Sequence, residues 1–152
     1  MDPGSPGNLC GDQWVAQQAK HCAAHGKGPP TYRTLPKPLE VGGVGHGVQV
    51  ARTEVTIPVG FEDGEESLYT APVMEDSTLP ALLGQRSLMN QRAIIDCYNK
   101  NIYFIGPGGY RLNLSPGSTK KKLHDSAGGH LMMPCSRFTR PASGTKGGNQ
   151  TS

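Results

Sequence analysis

The chain has 152 residues, with 35% hydrophobic side chains, 21 glycines and 13 prolines. That balance works against long helices and predicts one modest all-β domain with polar extensions, not a bundle or a multidomain assembly. The formal charge of +3 is uneven: residues 109–152 carry seven Lys/Arg against one acid, whereas residues 1–108 carry eight against eleven. No apolar run approaches the ~20 residues of a transmembrane helix, so no membrane partner is expected. Met1-Asp2-Pro3-Gly4 lacks the basic-then-apolar order of a secretory leader. Cys10, Cys22, Cys97 and Cys135 are widely spaced. The expectation is therefore a cytoplasmic protein with reduced thiols rather than a disulfide framework.

Residues 1–11 read as a turn and loop, with Asp2-Pro3-Gly4-Ser5 able to hold a carboxylate at the tip of a glycine-bearing turn. Residues 12–25 are the strongest helix, rich in Gln and Ala, with Asp12 as its cap. Trp14, Val15, Ala19, Cys22 and Ala23 share roughly one face. Gly26, Gly28, Pro29 and Pro30 stop it, and Leu35-Pro36-Lys37-Pro38 reads as a rigid extended connector. Two strands are predicted over Gly47–Val59 and Ser67–Val73 from the alternation of Val48, Val50, Val55, Ile57 and Val59. Gly60–Glu66 is an acidic turn between them. Gln85–Arg92 suits a short helix. Ala93–Asp96 and Asn101–Ile105 suit two strands joined by an Asn-bearing turn. Tyr110–Leu114 is one further strand candidate. Residues 115–152 are rich in Ser, Gly, Thr, Lys and Pro and are expected to be largely disordered, apart from Leu131-Met132-Met133, an apolar patch able to dock on the core.

Three stretches in this order and spacing resemble the retropepsin family, the aspartic proteases of retroviruses and retrotransposons. Asp2-Pro3-Gly4-Ser5 is similar to the family's Asp-Thr/Ser-Gly-Ala/Ser motif. Val41–Val50, with Gly42, Gly43, Val44, Gly45, His46 and Gly47, is similar to the glycine-rich flap that closes over substrate. Leu82-Leu83-Gly84 is similar to the apolar-apolar-Gly signature behind the catalytic loop. Ile94-Ile95-Asp96 and Asn101-Ile102-Tyr103-Phe104 resemble the closing strands. The resemblance covers roughly residues 2–105. It implies a closed β-barrel or sandwich over 1–108, half of a two-fold enzyme, followed by a basic tail over 109–152.

The chemistry implied is peptide hydrolysis by two aspartates sharing one proton. Asp2 is the catalytic residue, Gly4 and Ser5 shape its loop, and a polypeptide is the substrate. With one motif per chain, the second aspartate comes from a second copy, so a homodimer is implied. No metal or cofactor is required. The alternative is a catalytically inactive remnant that binds peptides or dimerises. Pro3 stands where the family has Thr or Ser and offers neither a hydroxyl nor an N–H. The apolar strand that leads into the family's loop has no counterpart before Asp2, so an N-terminally truncated copy is expected.

Other constellations have weaker support. Cys10, His21, Cys22 and His25 contain metal-ligating types, but only Cys22-x2-His25 approaches a structural spacing, and solvated or buried bystanders are the favoured reading. Asp96 lacks the Gly that builds the catalytic loop, and Asp63, although it precedes Gly64, sits in a charged turn without an apolar strand before it. Lys120-Lys121-Lys122 offers weak, salt-sensitive contact with nucleic acid, against a default of a solvated run.

Overall fold

The computed structural model describes residues 1–42 and 47–138. Its elements, in order, are β1 (Cys10–Gly11), α1 (Asp12–Ala24), β2 (Thr31–Val41), β3 (Gln49–Gly60), β4 (Glu66–Met74), α2 (Gln85–Asn90), β5 (Ala93–Asp96), β6 (Asn101–Phe104), β7 (His124–Asp125) and β8 (Leu131–Met132). The protein is mostly β, as its composition predicts, and both helices are short.

The central sheet runs β1-β4-β3-β2. β1 joins β4 in parallel, and the other pairings are antiparallel. Alternation along β3 and β4 gives the sheet two unlike faces. On one face, Val55 opposes Ala71 and Ile57 opposes Tyr69. These side chains are buried, together with Val73, Cys10, and Val15 and Cys22 of α1. Trp14 packs edge-on against Tyr69, with ring centroids 5.5 Å apart and planes at 75°. On the other face, Glu54 opposes Pro72 and Thr56 opposes Thr70. The two threonine hydroxyls hydrogen-bond at 2.9 Å.

Helix α1 ends where expected, by a Schellman arrangement. Lys27 N–H donates to Cys22 O at 2.8 Å and Gly26 N–H to Ala23 O at 3.2 Å. Gly26 supplies the left-handed turn, φ +67°. Its start departs from the expected cap. The N-cap position is Gly11, and Asp12 is the first helical residue. Its carboxylate instead accepts the backbone N–H groups of Asp76 (2.8 Å) and Ser77 (3.0 Å), tying the helix to the segment after β4. These bonds, with that from Ser77 foremost, hold the Asp12 carboxyl below its usual value. Ala23 is exposed and lies outside the buried stripe.

Leu35–Pro38 is not a connector but part of β2. Pairing with β3 slips between Thr34↔Thr53 and Leu39↔Ala51, so these residues form a bulge. Pro36 and Pro38 have no N–H to offer the ladder, which is why it slips there.

The described residues do not close the expected barrel. β5–β6 and β7–β8 are separate two-stranded sheets, and β1 and β2 remain edges of an open one. With only two residues in β1, there is too little ladder on that side to carry closure. Tyr110–Leu114 forms no strand; Tyr110, Leu112 and Leu114 are exposed and have no partner strand. Leu131, Met132 and Met133 are likewise exposed and do not dock on the core. Among the described residues, no helix is long and apolar enough to cross a membrane.

Candidate active site

The segment Met1–Leu9 is more than a loop. It is laced to Leu82–Arg86 by backbone bonds on both sides. Asp2 N–H donates to Leu83 O (2.9 Å), Gln85 N–H to Ser5 O (2.7 Å), Arg86 N–H to Pro6 O (3.0 Å) and Leu82 N–H to Leu9 O (2.7 Å). Asp2 and Gly84 form a parallel bridge. Gly84 is required by close approach: a Cβ there would lie 2.2 Å from the Gly7 carbonyl oxygen. The apolar-apolar-Gly stretch thus lies directly against the loop that carries Asp2.

Within the loop, Asp2 Oδ1 accepts the Gly4 N–H at 2.9 Å, and Ser5 N–H donates to Asp2 O at 3.0 Å. The carboxylate is therefore oriented by its own turn. Ser5 donates its hydroxyl to Gly7 O at 2.7 Å, which stiffens the loop rather than presenting a nucleophile. Asp2 is half-buried, and Pro3 is exposed.

Two residues that no motif singled out hold this arrangement. Asn8 accepts the Gly84 N–H through Oδ1 (2.8 Å) and donates through Nδ2 to Thr70 O (3.1 Å). It straps the loop, the Leu82–Gly84 stretch and β4 together. The Tyr69 hydroxyl lies 2.6 Å from Leu82 O and 3.0 Å from Leu9 O, at the seam of the two segments. Burial is the main reason its pKa is raised, so it stays a neutral donor. No local signal marks either: Asn8 stands in Pro6-Gly7-Asn8-Leu9 and Tyr69 in Ser67-Leu68-Tyr69-Thr70.

A groove of about 1180 Å³ opens beside this loop, on the sheet face away from α1. Thr70, Pro72 and Met74 of β4 line its floor. Leu35, Lys37, Leu39 and Val41 of β2 line one side, and Asp2, Ser5, Leu82 and Arg86 the other. Leu83, by contrast, packs against the core beneath. The bulge in β2 supplies Leu35 and Lys37 to this wall. Glu40, Glu54 and Asp76 also line the groove. Asp76 adopts a left-handed conformation, φ +49°.

Of the flap residues, Gly42 lines the groove and Gly47 turns the chain with φ +85°. They flank the last β2–β3 pair, Val41↔Gln49. Gly43, Val44, Gly45 and His46 lie outside the described residues.

The remaining titratable candidates are engaged elsewhere. Asp96 accepts both Asn99 Nδ2 (2.8 Å) and Asn99 N–H (3.0 Å), which lower its pKa and build the β5–β6 turn. Asp63 accepts Glu65 N–H at 2.9 Å in the β3–β4 turn. Cys10 and Cys22 are buried, with their thiols against Pro72 O (3.6 Å) and Pro58 O (3.4 Å). Burial pushes the Cys10 thiol up to about 12, which makes it an inert packing group. His25 Nδ1 sits 2.8 Å from His21 O. Among the described residues, no three or more His, Cys, Asp or Glu gather into a metal-binding group.

No family model, curated protein or solved structure matches the chain.

Proposed function

We propose that residues 1–108 are one protomer of a retropepsin-like aspartic endopeptidase. The carrying observation is the Asp2 turn. Its carboxylate is oriented by the Gly4 N–H, and its backbone is locked to Leu83-Gly84 beside a groove of about 1180 Å³. A single carboxylate does not hydrolyse peptides by acid/base exchange. Two Asp2 side chains, brought together across a two-fold axis, cannot both carry their charge cheaply, so the pair shares one proton. The ionised one takes a proton from a water molecule as that water attacks the scissile carbonyl. The protonated one hydrogen-bonds the carbonyl oxygen, and the leaving amine is then protonated. Asn8 and Tyr69 hold the loop that carries this group. Gly42 and Gly47, at the ends of the β2 and β3 arms, allow those arms to bend over a bound chain.

A second reading is an inactive domain that retains the groove as a peptide-binding or dimerisation module. Pro3 favours it, because that position has no hydroxyl or N–H with which to brace a partner loop.

Cleavage of a denatured protein across about pH 4 to 7, with Asp2→Asn alongside, tests the two. The enzyme reading expects acid-dependent cleavage, reduced at least ~1,000-fold in the variant. Equal residual activity in both proteins rejects it. Peptide binding that survives Asp2→Asn without any cleavage supports the module.

A further inference from the structure

The groove and the chain's own C-terminal segment are complementary in two respects. Four carboxylates line the groove, Asp2, Glu40, Glu54 and Asp76, against two cations, Lys37 and Arg86. Glu54 is paired with Arg33 at 2.9 Å, and among the described residues Glu40 and Asp76 have no ion pair. Lys120, Lys121 and Lys122 are all exposed and likewise unpaired among the described residues. Only Leu123 separates them from β7. The groove also presents Leu35, Leu39, Pro72 and Leu79, while Leu131, Met132 and Met133, which form and follow β8, are 41–56% exposed.

The two parts approach each other at one point. The turn between β7 and β8 is closed by Ser126 N–H to His130 O (2.8 Å) and Gly129 N–H to Ser126 O (3.0 Å). A Cβ on Gly129 would lie 3.5 Å from Pro6 Cβ, and Pro6 lines the groove. The turn of the hairpin is therefore close to Pro6 of the Asp2 loop, while among the described residues none after Asn90 lines the groove in this structure. β7 pairs with β8 through His124↔Met132, which keeps the lysines and the apolar run at the same end. Lys122 and Lys120 lie two and four residues before His124, a reach of about 7–13 Å beyond β7 when extended.

We propose that the segment Lys120–Met133 is an intramolecular occupant of the groove, with its lysines drawn to Glu40 and Asp76 and its apolar residues to the Leu35–Leu39 wall. It acts as a built-in competitor that an incoming polypeptide must displace. The proposal rests on reading the groove as a peptide site, but its test requires no cleavage.

The test is zero-length carbodiimide coupling of carboxylates to lysines in the full chain, mapped by mass spectrometry. An equal mixture of isotopically light and heavy protein separates links within a chain from links between chains. The Lys27–Glu66 ion pair, at 2.6 Å, is the internal positive control. The expected result is linkage of Lys120–Lys122 to Glu40 or Asp76 within one chain. That linkage should fall several-fold in about 0.5 M salt, where the Debye length is only a few Å, and disappear in a Glu40→Gln, Asp76→Asn double variant. Control linkage without these links overturns the proposal. So does linkage only between light and heavy chains, which identifies a second copy as the occupant. Equal linkage to the acidic β3–β4 turn overturns it as well, since that is unspecific attraction. If the expected links form, and the Glu40→Gln, Asp76→Asn double variant that frees the groove still cleaves nothing, the occupant stands and the protease reading fails. Cleavage without the links has the opposite meaning.

Discussion

The two faces of the β3–β4 hairpin are made from alternate residues of the same strands, yet they do different work. Val55, Ile57, Tyr69, Ala71 and Val73 point at α1 and are buried. Glu54, Thr56, Thr70 and Pro72 point the other way, three of them onto the groove. The first face accounts for much of why the chain folds; the second is free to carry chemistry. Two neighbouring residues can therefore differ several-fold in what their loss costs.

The largest contrast is expected at Ile57, which is fully buried. Ile57→Ala should lower stability by about 2–5 kcal/mol, the range for emptying a packed core site. Urea unfolding would show this as a lower midpoint at unchanged slope. A loss below about 1 kcal/mol would mean that the α1 face is not the principal core.

Asn8 is next, because it joins the two faces' territories. Asn8→Ala leaves the Gly84 N–H and the Thr70 carbonyl without their side-chain partner. A cost of about 1–3 kcal/mol is expected. Any peptide cleavage should fall mainly in kcat, since the loop orients Asp2 rather than gripping substrate. An effect confined to KM would move Asn8 from positioning to substrate contact.

A smaller effect should follow from Asp12. Its folded-state pKa lies below the ordinary value of 3.8. The stability it contributes is therefore complete above that value and is lost as pH falls through the folded one. Asp12→Asn, which sets an amide donor near two backbone N–H groups, should lower stability at neutral pH and flatten its decline below about pH 4. Midpoints compared at neutral and acid pH check the sign; a variant that declines as steeply as the parent would remove Asp12 from the acid transition.

Thr56 sharpens the comparison from the other side. Thr56→Val keeps the strand shape and loses the bond to Thr70. The change should stay under about 1 kcal/mol, although the residue adjoins both Val55 and Ile57.

How much of this was legible follows from the range of each interaction. The alternation of Val55, Ile57 and Val59 is a local signal, and β3 and β4 lie within a residue or two of the predicted strands. The stop of α1 at Gly26 is local too. Asp12 was misread because capping is the nearest use for an acid at a helix start, whereas its partners lie 64 and 65 residues away. Asn8 and Tyr69 were missed for the same reason, since their partners are 60 or more residues off in three of four bonds. The bulge at Pro36 and Pro38 was visible as rigidity but not as strand, because a sheet accepts proline at an edge and only topology identifies the edge. Of the site, the Asp2–Gly84 pairing was implied by resemblance alone; the strap that holds it was not.

The contact between Trp14 and Tyr69 has a practical side. Trp14 is the chain's only tryptophan, and its ring abuts the phenol whose hydroxyl sits at the Leu9–Leu82 seam. Intrinsic fluorescence is thus a built-in optical reporter placed one side chain away from the anchorage of the Asp2 loop. A ligand, a second copy or a tail movement that loosens that anchorage would register in emission without any label.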